Sequence, residues 1–275
     1  MLVERRSRIL AGLGHRVRPA KLTRAIRRWA VRDRPWVGRV AATLGTVRVE
    51  SCRFRIDSPL ISDALKSRLL YGRYERTERE LLRRHLIPSL PVVELGGGMG
   101  VVSCIVNRRL STPGKHVVVE ANPRMLPLLR HHRELNAAQF ALVHGAVAYG
   151  RDRVSMKADG DLLSSQVAGE GSDSVSALSL QDLIATFGFE RCTLVCDIEG
   201  SEIELVAREI ATLQSHVAMI VMEEHPEYCD ASTRSAMFAA LAGAGFRTLE
   251  TLRKVRVLVN SRFDDHSAAG PTSAS

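Results

Sequence analysis

The residues of this chain best suited to chemistry are acids that close apolar runs just before glycine or a turn. Glu94 precedes Gly96, Gly98 and Gly100 in Val92-Val93-Glu94-Leu95-Gly96-Gly97-Gly98-Met99-Gly100. Glu120 ends Val117-Val118-Val119, and Asp197 and Glu199 follow Thr193-Leu194-Val195-Cys196 and precede Gly200. A further run, Val217 to Met222, closes in Glu223-Glu224-His225. Glycines in such a turn leave no side chain between backbone and ligand and adopt positive φ readily. A carboxylate about twenty residues after the turn can accept both hydroxyls of a ribose. Asp197 reads as a general base or orienting carboxylate toward an acceptor hydroxyl. Equally, Asp197 and Glu199 read as charges that favour the N-terminus of the next helix. His225 is a candidate acid or base, and His144 receives no role. Acids can also hold a cation, but no His or Asn at suitable spacing completes a ligand set, so no metal is assigned.

The first turn fits acid-x-G-x-G-x-G. The dinucleotide pattern G-x-G-x-x-G, started at Gly96, requires a small residue at position 101 and meets Val101. A carboxylate at Glu94 repels pyrophosphate and attracts an ammonium. The turn therefore suits a nucleoside with a cationic tail, and S-adenosylmethionine is such a nucleoside. In this reading Glu94 and the glycines hold the tail, Glu120 and the adjoining Asn122 serve the ribose, and the small residues around Ala146 admit an adenine edge. The plainer reading of a glycine string is a connection with no ligand.

Bringing these tips together requires parallel strands joined by helices. The chain predicts a half-buried strand over 47–56, alternating apolar and polar, that can belong to a small hairpin. It then predicts helical structure from Ser62 to Leu86, stopped by Pro88 and Pro91. Strands follow at 92–95, 115–120, 141–148, 193–197 and 217–222, with helices over 101–110, 124–136, 203–213 and 232–242. Residues 152–176, rich in Gly, Ser and Asp, read as a long loop over the substrate side. Ser179 reads as the N-cap of a helix ending near Gly188. Residues 246–250 and 255–259 alternate like a terminal antiparallel pair. The expected fold is α/β: a mostly parallel, Rossmann-like seven-stranded sheet with a C-terminal antiparallel hairpin.

Charge divides the chain. Of its 39 Lys/Arg and 30 Asp/Glu, residues 1–56 hold fifteen and three, a net +12, and the remainder is −3. The expected organisation is a basic N-terminal extension (1–56), a main domain (57–260) and a disordered Ser/Ala/Gly-rich tail (261–275). Leu22, Ile26 and Trp29 share one helical face opposite arginines, so the arm suits an anionic surface or partner, or else packs on the main domain. No apolar stretch is long enough to span a bilayer and no signal-peptide core is present, so the expected location is cytoplasmic. Five cysteines, odd in number, read as buried thiols.

Three ordered motifs resemble the FkbM family of S-adenosylmethionine-dependent methyltransferases over about residues 71–259. Leu194-Val195-Cys196-Asp197-Ile198-Glu199-Gly200-Ser201-Glu202, preceded by Val175 to Leu180, is similar to the family's K-I-D-x-E-G-x-E signature. Val92 to Gly100 is similar to its V-D-x-G-A-N-x-G cofactor loop, and Val119-Glu120-Ala121-Asn122-Pro123 to its E-x-x-P ribose segment. Glu94 stands for the usual Asp, Gly97-Gly98 for Ala-Asn, and Cys196 where Lys is common. The resemblance implies a class I methyltransferase fold and methyl transfer to a hydroxyl of a sugar, polyketide or related small metabolite. Two other readings stand beside it. One is an NAD-dependent oxidoreductase, which lacks a Tyr-x-x-x-Lys pair here. The other is a nucleic-acid or membrane-binding protein with a vestigial cofactor fold.

Overall fold

A computed structural model describes residues 34–158, 165–168 and 174–263. The chain divides at Arg34, and the body from Pro35 onward is described here. In chain order its elements are α1 (Pro35–Ala42), β1 (Thr46–Val49), β2 (Cys52–Arg55), α2 (Asp63–Leu70), α3 (Arg76–His85), β3 (Val92–Leu95), α4 (Val101–Asn107), β4 (His116–Glu120) and α5 (Leu126–Leu135). There follow β5 (Ala141–His144), β6 (Ala146–Val147), β7 (Arg153–Ala158), β8 (Ser165–Ala168), β9 (Ser174–Leu178), α6 (Leu180–Phe187) and β10 (Cys192–Cys196). The last are α7 (Glu202–His216), β11 (Val217–Glu223), α8 (Ala231–Gly243), β12 (Phe246–Leu252) and β13 (Val255–Asn260).

The main sheet has seven strands in the order β12-β13-β11-β10-β3-β4-β5. Strands β11, β10, β3, β4 and β5 run parallel, while β13 lies antiparallel between β11 and β12. This is the Rossmann-like architecture anticipated, terminal hairpin included. The central strands β3, β4 and β10 are buried along their whole length, the pattern of a parallel sheet covered on both faces. On one face Val93, Leu95, Leu194, Cys196, Ile220 and Met222 pack against α6, α7 and α8. On the other, Val92, Val195, Met219 and Val221 meet α3 and α4. Sequential βαβ units place every parallel strand's carboxyl end along one edge.

Several boundaries differ from the sequence reading. The half-buried run at 47–56 is itself the hairpin, turning at Glu50 with φ 52°. It packs through Val47, Val49, Phe54 and Ile56 onto Met99, Val101 and Ile105, so residues 35–56 fold with the main body. The helical stretch at 62–86 is two helices, since Gly72 (φ 60°) and Glu75 (φ 48°) leave the helical region. The strand expected at 141–148 stops at His144, because Gly145 lies so close to Leu178 and the Ser176 carbonyl that the chain turns away. Ala146 and Val147 pair with β9 instead. The long loop expected at 152–176 holds β7 and β8 of a second sheet, ordered β6-β9-β7-β8. Loop-like composition was overridden there by antiparallel pairing. Ser179 caps α6, its Oγ accepting from the Asp182 N–H at 3.0 Å, and Gly188 closes that helix at φ 65°. All five cysteines are free, four of them buried. No helix among the described residues is long and apolar enough to cross a membrane. The arm at 1–33 and the tail at 264–275 lie outside the described residues.

His132 ties the hairpin to the glycine turn. It is fully buried. Its Nε2 accepts the Arg55 backbone N–H at 2.9 Å, which leaves Nδ1 as the protonated nitrogen, 2.7 Å from the Met99 carbonyl. Burial pushes this imidazole down to about 4, against the raising influence of its Met99 bond. A second proton would cost the Arg55 bond. Because the folded value lies below the ordinary value near 6.5, the stability contributed is complete above about pH 6.5 and is lost as pH falls toward 4. The loss is roughly 3 kcal/mol. Denaturant unfolding at pH 7, 5.5 and 4.5 should show His132→Gln losing less stability over that window than the wild type; equal slopes would contradict this role.

Candidate active site

Three strand tips meet at the glycine turn. The Gly96 and Gly97 amides both donate to the Val119 carbonyl at 3.0 Å, the Asp197 amide donates to Leu95 O at 3.0 Å, and the Gly100 amide donates to Gly97 O at 2.8 Å. Gly98 N donates to Glu120 Oε2 at 2.6 Å. These turn amides are thus committed to carbonyls and a carboxylate. That suits a ligand without phosphate, since phosphate binding uses free N–H groups.

The glycines serve different ends. A Cβ on Gly96 would fall inside the Asp197 carbonyl oxygen, and Gly97 and Gly100 are pressed against Val118 and Leu129. Those positions need glycine so that backbones and helix can approach. Gly98 alone opens outward: the nearest atoms to its built Cβ are Tyr74 Oη at 3.5 Å and Glu75 Oε1 at 4.0 Å. Of the turn glycines, Gly98 is the one where an added Cβ would make only ordinary contacts, and Tyr74 and Glu75 are the roof it would touch.

Glu120 stands where a ribose acceptor was expected. Its Oε1 accepts from Asn122 N at 2.6 Å, and its Oε2 from Gly98 N. Burial pushes its carboxyl up to about 7, partly offset by those backbone bonds. Asn122 is buried and turns its Oδ1 to the Arg124 amide at 3.0 Å. Glu94 is a correction. Ser103 Oγ donates to its Oε1 at 2.5 Å and His116 Nε2 lies 3.1 Å from its Oε2, in an environment where Glu94 is 2% exposed. With both oxygens engaged inside the fold, it offers neither to a cofactor tail. Ala146 is likewise enclosed, packed with Val154 and Val175 between the sheets. The open adenine edge expected there is closed by the strand pairing of β6.

Asp197, Glu199 and His225 do converge. His225 Nε2 lies 3.2 Å from Asp197 Oδ1 and 3.6 Å from Glu199 Oε2, and its Nδ1 lies 3.0 Å from Glu202 Oε1. Burial works against its charge, but the contacts with Asp197 and Glu202 prevail and push it up to about 11. At neutral pH it is an imidazolium and cannot take a proton, which corrects its reading as a base. It acts instead as a fixed cation among carboxylates. Glu202 also accepts from the Ile198 and Gly200 amides at 2.9 and 2.8 Å. It thereby shapes the Asp197-Ile198-Glu199-Gly200 turn, where Glu199 adopts φ 52°, a strained value for a non-glycine residue. Burial, ahead of its charged neighbours, raises the Glu199 carboxyl.

The sequence reading missed Tyr74, Glu75 and Glu78. Arg79 fixes their segment: it is 5% exposed, donates to the Tyr74 and Gly72 carbonyls at 3.1 and 2.7 Å, and pairs with Glu50 at 2.8 Å. Glu75, Glu78 and Asp197 each place an oxygen within 4.8 Å of the others, as Asp197, Glu199 and His225 do with their ligand atoms. The argument from spacing against a cation site therefore fails, because the histidine comes from the neighbouring strand. Burial pushes Glu75 up to about 8 and Glu78 well above the carboxylate range, with Asp197 adding repulsion in both. In sequence these acids alternate with arginines and look like a solvated helix face. The positive φ at Glu75, which turns that face inward, has no signature in a glutamate.

No protein-family model and no curated protein sequence matches the chain. Solved structures with a similar fold include fibrillarin from Aeropyrum pernix, in complex with natively bound S-adenosyl-L-methionine (11% identity, 67% of this chain and 73% of that one, TM-score 0.41). They also include a ribosomal protein L11 methylase from Lactobacillus delbrueckii subsp. bulgaricus (13%, 68% and 77%, 0.41). A third is a precorrin-6y C5,15-methyltransferase from Geobacter metallireducens (14%, 66% and 84%, 0.41).

Substitution in the turn should separate packing from binding. Gly96→Ala drives a methyl into a backbone carbonyl and should cost about 3 kcal/mol or more. Gly98→Ala makes only ordinary contacts with Tyr74 and Glu75 and should cost only about 1 kcal/mol for its left-handed φ of 52°. Thermal unfolding of the two variants reads the difference.

Proposed function

We propose that this protein is an S-adenosylmethionine-dependent methyltransferase that transfers methyl to a hydroxyl of a sugar, polyketide or related small metabolite, and that it is an FkbM-type enzyme. The observation that carries the reading is the shared edge: Glu120, Asp197 and the roof residue Glu75 face the space over Gly98. Burial raises the carboxyls of both glutamates, and the charge on Asp197 adds to it. The committed turn amides favour a nucleoside with a cationic tail over a dinucleotide. The Asp197 to Glu202 motif adds the family resemblance.

When bound, S-adenosylmethionine supplies a methyl group activated by a sulfonium, whose transfer returns the C–S electron pair to sulfur. The chain's own task is alignment and proton management. Glu120 accepts the ribose hydroxyls in exchange for its backbone donors. Asp197 Oδ1 lies 3.2 Å from His225 Nε2; the Asp197 carboxylate takes the acceptor hydroxyl's proton as the hydroxyl oxygen bonds to carbon. The His225 imidazolium holds Asp197 and Glu199 in place and balances part of their charge. His225 is therefore a positioning residue in this mechanism.

Stabilisation in a thermal shift assay by S-adenosylhomocysteine but not by NAD is the expected result; stabilisation by NAD alone would overturn the proposal. Binding to an ionised Glu120 displaces a proton, so affinity should rise with pH through 7. S-adenosylhomocysteine should bind roughly tenfold more tightly at pH 8 than at pH 6. Calorimetry on Glu120→Gln should find weaker binding without the part of this slope centred near 7. Asp197→Asn should lower kcat by about a hundredfold or more; full turnover in a folded variant would remove Asp197 from its role.

A further inference from the structure

The buried carboxylates on α3 have no function in the scheme so far, and they are costly. Glu78 is 3% exposed, and its Oε2 has no hydrogen-bond partner; the same holds for Oε2 of Glu75. Each of these residues and Asp197 offers a carboxylate oxygen within 4.8 Å of the others, so their ionised forms repel one another, and burial with that repulsion holds Glu75 and Glu78 toward the protonated form. Bare buried carboxylate oxygens add a desolvation penalty of their own. A structural role would pair these groups with a cation or an amide. Among the described residues these two oxygens have no hydrogen-bond partner, and Glu75 and Glu78 each offer a carboxylate oxygen within 4.8 Å of Asp197 instead.

We infer that Glu75, Glu78 and Asp197 form the subsite for the primary ammonium of the cofactor's amino-acid tail. The inference rests on the S-adenosylmethionine reading and deepens it. Three separate carboxylates match the three N–H donors of an ammonium, each giving a charge-assisted bond. The position is right as well, since Glu75 reaches to 4.0 Å from the built Gly98 Cβ, over the turn the nucleoside must cross. The assignment supplies the cationic partner that the sequence sought for Glu94, which is occupied by Ser103 and His116. It also explains the anchoring of the segment. Arg79 clamps the carbonyls of Gly72 and Tyr74 and reaches Glu50 of the hairpin. This holds Glu75 in its left-handed conformation above the turn.

The test uses the full-length protein and three probes: S-adenosylhomocysteine, its decarboxylated analogue, which keeps the ammonium, and its deaminated analogue, which keeps only the carboxylate. Calorimetry on the wild type should find the deaminated compound weaker than S-adenosylhomocysteine by roughly tenfold or more, with the decarboxylated compound much closer to it. Glu75→Gln and Glu78→Gln should weaken the two ammonium-bearing probes by a similar factor and change the deaminated one by less than about twofold. Both variants should also melt at or above the wild-type temperature without ligand, because each removes the cost of ionising a buried carboxyl. If S-adenosylhomocysteine fails to bind the wild type, the underlying functional reading falls. If it binds and the variants leave its affinity within twofold, this subsite alone is refuted. Mn²⁺ binding abolished by Glu78→Gln, with S-adenosylhomocysteine affinity unchanged, would refute it in favour of a divalent metal site. The wild-type comparison of the three probes needs no variant to fold.

Discussion

Crowding of carboxylates at the carboxyl edge of a parallel sheet constrains everything else in this molecule. Burial, with repulsion from Asp197 added, raises the carboxyls of Glu75, Glu78, Glu120, Glu199 and Glu223. A fold whose net stability is about 5–15 kcal/mol cannot carry several such repulsions without compensation. The compensation is local. An imidazolium at His225 sits between Asp197, Glu199 and Glu202, and backbone amides serve Glu120 and Glu202. Among the described residues, Oε2 of Glu75 and Oε2 of Glu78 have no hydrogen-bond partner, which is the physical basis for proposing a cationic ligand there.

The opposite treatment of Glu94 shows how the same residue type is used in two ways. Glu94 lies on β3 with its side chain turned toward α4, where Ser103 and His116 satisfy both oxygens in a closed site. It behaves as a buried polar contact joining strand and helix, and its satisfaction is what makes its burial tolerable. Glu120 is one strand away at a tip, and its two bonds go to turn amides that a ligand's hydroxyls can replace. Whether an acid is structural or available depends on what it meets, one strand register apart.

The hairpin before the main fold is part of the site's architecture. Glu50 at its tip pairs with Arg79 and Arg109, and Phe54 packs edge-on against His132 at 5.2 Å. His132 in turn holds Met99 within the glycine turn. One buried imidazole and one buried guanidinium thus link the hairpin, the roof segment and the turn. Loosening any one of them is transmitted to the others through packed, hydrogen-bonded contacts.

The chain's own pattern determined the layered architecture. Mostly apolar runs at 92–95, 116–119, 192–196 and 217–222 read as strands buried on both faces, and acids or turns at their ends mark one edge. Ser179 and Gly188 bounded a helix through local hydrogen bonding and a left-handed cap, both properties of single residues. Glu120, Asp197 and Glu199 were legible for the same reason: a strand tip followed by a turn is a local feature. Tertiary structure decided which acids are open and which are spent. It closed Glu94 and Ala146, charged His225, and turned Glu75 and Glu78 inward. It also made two strands of a Ser/Gly-rich stretch. These outcomes depend on partners from other elements, such as His116 for Glu94 at 22 positions and Glu202 for His225 at 23, on desolvation, and on a positive φ in a glutamate. None of these leaves a periodic or compositional trace in the sequence.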